Sequence, residues 1–189
     1  TMFHGGHDGL DLQEAEPFRN TFLDDCSGDR TLNYAYNTVM RAAEILQDPE
    51  YVEFNILSMP GLTERNLTDK LLSVCEDRAD ALAIIDIEGG FVPRTESSDS
   101  ASARRGNVTT IVSNLKSREA DSSYGCAYYP WVQVQDSRSK RRLWLPPSAI
   151  AVGVLGYSQA IENNAPWFAP AGFKRGGLDS MGSDTGAAG

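Results

Sequence analysis

Apolar positions along this chain recur first at helical and then at strand spacing. In "TLNYAYNTVMRAAEILQDPEY", Leu32, Tyr36, Val39, Ala43 and Leu46 fall on one side of a 3.6-residue repeat, and Asp48-Pro49 closes the segment, so an amphipathic helix is predicted. The run "VEFNILSMPG" follows, apolar and β-leaning from Val52 to Met59 and stopped by Pro60-Gly61, which predicts a buried strand. A second helix is expected next, with Thr63 as its cap and Leu67, Leu71, Val74 and Cys75 on its inner side. "ALAIIDIEGG" repeats the strand signature from Ala81 to Ile87. Helix, strand, helix, strand with short joints predicts a parallel pair joined by a right-handed crossover, hence an α/β fold with one principal domain.

The second half continues the pattern with a longer joint. "GFVPRTESSDSASARRG" is poor in bulky apolar residues and reads as an exposed loop over residues 89–106. Val108, Ile111, Val112 and Leu115 mark a helix, and residues 125–134 a third strand. Residues 125–135 and 141–145 flank "QDSRSK" and read as two arms of a β-hairpin. Pro147 suits the first turn of a last helix carrying Ile150, Val154, Tyr157 and Ile161, with Gly153 and Gly156 leaving a narrow flank for a neighbour. The division expected is an acidic, loop-rich segment over 1–30, a core over 31–178 and a flexible Gly/Ser/Ala tail over 179–189. Within 1–30, a turn or two is expected around Phe18 and Phe22.

Composition narrows the function classes. The 189 residues are 41% apolar and 23% charged, enough for one good core, and the net charge of −9 opposes general attraction to nucleic acid or anionic lipid. Cys26, Cys75 and Cys126 form an odd set with no CxxC spacing, which predicts reduced thiols. No apolar run approaches the roughly 20 residues that span a bilayer, and the first residues lack the pattern of a secretory signal.

Candidate chemistry is sparse. Strand C-termini of an open parallel sheet are the usual ligand positions, which singles out Asp86 and Glu88; an α/β hydrolase or nucleotide-using enzyme would place its site there. The partners for that chemistry are missing. The only histidines, His4 and His7, sit in the acidic start, no GxSxG accompanies them, and "HGGHD" closes no metal shell by itself. "EGG" and "RGG" lack the spacing of phosphate loops. The sequons at Asn66 and Asn107 match a pattern common by chance. Neither catalysis nor a cofactor or metal is expected.

The stretch "YGCAYYPWVQVQDSRSKRRLWLPPS" allows two readings. Tyr128, Trp131 and Trp144 could stack on single-stranded nucleic acid beside Arg138, Lys140, Arg141 and Arg142. The expectation is that these rings are core instead, because each carries a large apolar area. The basic tip then becomes a candidate subunit interface, complementary to the acidic start with Asp8, Asp11, Glu14 and Glu16.

As an ordered set, "YGCAYYPWVQVQDSRSKRRLWLPPSAIAVGVL" and "APWFAPAGFKRGGL", with "GGHDG" near the start and "NILSMPG" after the first helix, resemble the subtilisin-like domain of contractile bacteriophage tail sheath proteins. The match spans residues 5–178. The resemblance implies a structural subunit without catalysis, located in the virion after assembly in the host cytoplasm. Its implied partners are other sheath subunits, the tail tube protein, and baseplate and tail terminator proteins. Sheath subunits stack as helical rings around the tube and shorten to drive it through the host envelope. Two departures stand out: residues 10–30 lengthen the join to the first helix, and the terminal arms that add strands to neighbouring subunits have no counterpart here. The sequence therefore reads as a piece of a longer subunit, expected to stay largely monomeric on its own.

Overall fold

The computed structural model describes Phe18, Asn20, Leu23 and residues 32–87, 98–136 and 138–161. These form helix α1 (Tyr34–Ile45), strand β1 (Ile56–Ser58), helix α2 (Arg65–Arg78), strand β2 (Leu82–Asp86), short helix α3 (Ala101–Arg104), helix α4 (Val108–Ser117), strands β3 (Gly125–Tyr128), β4 (Val132–Gln135) and β5 (Arg142–Leu145), and helix α5 (Pro147–Ile161). The architecture is mixed α/β: a parallel sheet in the order β1-β2-β3, with β4 and β5 as a separate antiparallel hairpin.

The two faces of β2 explain the layering. Alternate side chains of a strand point to opposite faces. Ala83 and Ile85 join Leu71, Leu72, Val74 and Cys75 of α2 in one buried cluster with Leu57 of β1. Ile84 and Asp86 point the other way, and Asp86 meets Ser148 at the start of α5. Thus α2 covers one face of the sheet and α5 approaches the other. A second cluster joins Ala35 and Val39 of α1 to Leu67 of α2 and to Leu23. Burial inside the first cluster pushes the Cys75 thiol up to about 11, because the thiolate loses its water.

Local signals decide the helix ends. Asn33 caps α1, its side chain accepting from the Tyr36 amide at 3.0 Å. At α2 the cap is Glu64 rather than Thr63: the Glu64 carboxylate accepts from the Leu67 amide at 2.7 Å, while Thr63 stands one residue too early. The Thr63 amide instead donates to Asn20, whose own amide donates to the Gly61 carbonyl at 2.7 Å, so Asn20 staples the β1–α2 loop. Asn107 caps α4.

Several sequence expectations shift. The strand expected over 52–59 contracts to Ile56–Ser58, because residues 52–55 run outside the ladder. Leu32 lies on the exposed side of the chain just before α1 rather than on its inner face. A single turn of helix, α3, interrupts the expected loop over 89–106, of which residues 89–97 lie outside the described residues. On α4 Ile111 is buried whereas Val108, Val112 and Leu115 are exposed. Around Gly153 and Gly156 a side chain would meet nothing within 4 Å, so no described neighbour uses that narrow flank. Phe18 is exposed, and Phe22 lies outside the described residues.

Arg78, which no sequence motif marks, closes the α1–β1 connection. Its side chain is 1% exposed, donates to the carbonyls of Leu46 and Val52 at 2.9 Å each, and lies 4.0 Å over the Phe54 ring. Its Nε and Nη2 both reach the Asp80 carboxylate at 2.9 Å. That hydrogen bond holds the Asp80 carboxyl below its ordinary 3.8, against the opposing pull of desolvation. A folded pKa lowered in this way gives stability that is present above the unfolded value and lost as pH falls through the folded one. We expect urea midpoints of the parent chain to fall between pH 5 and about pH 3, and Asp80→Asn to flatten that dependence. Equal slopes for the two proteins would refute the assignment.

Candidate functional site

The C-terminal end of β2 is the position at which an α/β sheet offers a reactive carboxylate to a ligand. Asp86 occupies it, but the carboxylate is 1% exposed and already engaged. Its Oδ2 accepts from the Gly61 amide at 2.8 Å and from the Ser148 hydroxyl at 2.8 Å, and its Oδ1 accepts from the Ser148 amide at 2.9 Å. Gly61 supplies its amide from a left-handed turn with φ +87°, a conformation that suits glycine. Ser148, itself fully buried, follows Pro147 in the first turn of α5, where amides lack helical partners and the helix dipole favours an anion. Asp86 therefore joins the β1–α2 loop, the end of β2 and the start of α5. The side chain singled out for chemistry is spent on holding backbone, and Glu88 lies outside the described residues.

The aromatic stretch is arranged differently from its sequence reading. A single arm over 125–135 is not formed: Gly125–Tyr128 pairs in parallel with β2, a cis Tyr129–Pro130 peptide follows, and only Val132–Gln135 enters the hairpin with Arg142–Leu145. The rings are correspondingly less buried than expected. Tyr128 is 42% exposed, Tyr124 and Tyr129 are exposed as well, and Trp131 and Trp144 are half-buried. β3 stands at the edge of the three-stranded sheet, and aliphatic side chains of α2 and β2 fill the interior that the rings were expected to fill. Trp131 does contribute packing, its Cη2 lying 3.9 Å from where a Gly61 Cβ would stand, next to Pro146.

The basic tip is built by Asp136. Its carboxylate accepts from the amides of Arg138 at 3.1 Å and Ser139 at 2.9 Å, and its backbone exchanges bonds with Lys140 and Arg141 at 2.8 Å each. The Ser139 bonds, followed by that of the Arg138 amide, hold the Asp136 carboxyl below its ordinary range. Lys140 takes a left-handed φ of +59° to close the turn. Arg138, Lys140, Arg141 and Arg142 are all exposed, and none forms an ion pair among the described residues. The residues offered as their acidic counterpart, Asp8, Asp11, Glu14 and Glu16, lie outside the described residues, as do His4, His7 and Cys26.

Among the described residues no group of three His, Cys, Asp or Glu side chains is placed to hold a metal ion, and no helix is long and apolar enough to cross a membrane. Sequence reasoning missed Arg78, Asn20 and the Arg65–Arg118 pair beside Asp69. Only the side-chain types at these positions were legible beforehand, because most of the partners are tens of residues apart. No protein-family model matches the chain, and comparison with curated proteins gives no match.

Proposed function

We propose that the chain is the α/β core domain of a contractile phage tail sheath subunit. In this reading it works through contacts with other copies of the subunit and with the tail tube, baseplate and terminator proteins, carries out no catalysis, takes no cofactor and resides in the virion. The observation that carries the proposal is the contrast between two charged sites. Asp86, the carboxylate at the strand end, is buried and saturated by backbone and hydroxyl donors, whereas Arg138, Lys140, Arg141 and Arg142 are exposed, without an ion pair among the described residues, on a turn stiffened by Asp136. The ordered motifs described above support the same reading.

Contraction needs one rigid body that can be packed in two ways, with charged patches exchanged between the two arrangements. A turn held by carboxylate-to-amide bonds fixes the backbone from which its cations project, which helps to set register between copies. One exposed ion pair is worth only about 0–1 kcal/mol, but a helical assembly repeats the contact at every subunit. Arg141→Glu with Arg142→Glu in the full-length subunit is expected to reduce sheath polymerisation or contraction about tenfold or more, scored by negative-stain microscopy. Normal extended and contracted sheaths would reject the interface.

A further inference from the structure

Two guanidinium groups converge on one carboxylate beside a groove at the C-terminal end of the sheet. Arg118, which ends α4, donates through Nη2 to the Thr68 hydroxyl at 2.6 Å and to the Asp69 carboxylate. Its side chain is 7% exposed, and its Nε is buried with no acceptor among the described residues. Arg65 approaches the same carboxylate, its Nε 3.6 Å from Oδ2 of Asp69, and its Nη2 reaches only to 3.4 Å from the carbonyls of Ser117 and Arg118. Glu64, the adjacent acid, is committed to the Leu67 amide and the Asn66 side chain. The unpaired donor leaves the Arg118 charge only partly compensated, beside a groove that Arg118 and Arg65 both line.

The groove offers the room. It holds about 240 Å³, and its lining combines Arg65, Arg118 and Asn114 with Ile87, Ile111 and Leu115. Ile87 directly follows β2, so the groove lies where parallel sheets place ligands, though not at Asp86. We propose that this groove binds a carboxylate carried on a short aliphatic stem. Arg65 and Arg118 supply the positive charge that draws the carboxylate, and Ile87, Ile111 and Leu115 cover the stem. A naked phosphate would leave the apolar wall unused, whereas a carboxylate matches the guanidinium geometry. The volume admits a four- or five-carbon acid, either free or as an acidic side chain of another polypeptide.

The inference does not depend on the sheath assignment, since the groove belongs to the isolated chain. The test is titration of the 189-residue protein with butyrate and with glutamate capped at both ends as amides, following the arginine Nε–H signals by NMR. Phosphate and chloride serve as comparisons. Saturable movement of the Arg118 Nε–H signal is expected at millimolar concentrations, weakened about tenfold in Arg65→Met, a half-exposed position, with an unchanged backbone amide spectrum showing that the variant is folded. Tighter binding of capped glutamate would assign the site to a side chain of another polypeptide, and tighter binding of butyrate to a free acid. A response that follows ionic strength alone, equal or stronger binding of phosphate, or no weakening in Arg65→Met would overturn the proposal.

Discussion

Asp86→Ala is expected to destabilise the fold by about 3–5 kcal/mol, the largest loss from any single polar side chain described. The substitution removes the acceptor of three hydrogen bonds and strands two backbone amides, those of Gly61 and Ser148, in a region where Asp86 and Ser148 are almost without solvent contact. Hydrogen bonds to a charged group are each worth about 1.5–3 kcal/mol, and a buried donor left alone costs about 1–3. Asp86→Asn retains one carbonyl oxygen but turns an NH₂ toward donors, so a loss of about 1–3 kcal/mol is expected. Ser148→Ala removes one hydroxyl bond and leaves both amide bonds, for about 1 kcal/mol. Urea unfolding gives this ranking through the midpoints, provided the slopes agree. A loss below about 1 kcal/mol for Asp86→Ala would show that the carboxylate is not structural and would reopen the strand end as a site for chemistry.

Gly125→Ala should destabilise by about 1–3 kcal/mol, with the sign of its coupling to Leu72 as the diagnostic. A Cβ at Gly125 would stand 2.0 Å from Cδ2 and 3.5 Å from Cγ of Leu72, a buried side chain of α2 that lies across β3. Leu72 must then leave its position in the buried cluster, which costs strain and contacts. Leu72→Ala alone should cost about 2–5 kcal/mol through the cavity it leaves. In that background Gly125→Ala adds a methyl to the vacated space and should cost nothing or restore stability. A double-mutant cycle measured by thermal or urea unfolding isolates the coupling. Additive losses would show that the cost of Gly125→Ala does not arise at this contact.

Where one element generates its own signal, the sequence was sufficient. The inner face of α2, with Leu67, Leu71, Val74 and Cys75, follows from 3.6-residue spacing, and all four are buried. The parallel β1–β2 pair follows from two apolar runs flanking a helix, and Pro147 marks the start of α5. The exposed basic tip was legible because four cations within five residues of a turn cannot be buried together.

The tertiary structure decided what depends on partners distant in the chain. The stretch 125–135 has the same residues whether it is one hairpin arm or two strands in different sheets; pairing with β2, through the register Asp86↔Tyr128, selected the second and left Tyr128 at an edge. Asp86 looked like a candidate acid until Gly61 and Ser148, 25 and 62 residues away, arrived as its donors. Arg78 likewise gained its role from carbonyls 26 and 32 residues earlier. Periodicity and turn chemistry are local, so residues within a few turns encode them; the use of a polar or aromatic side chain depends on which distant backbone groups folding brings within 3 Å, and local pattern carries no record of that.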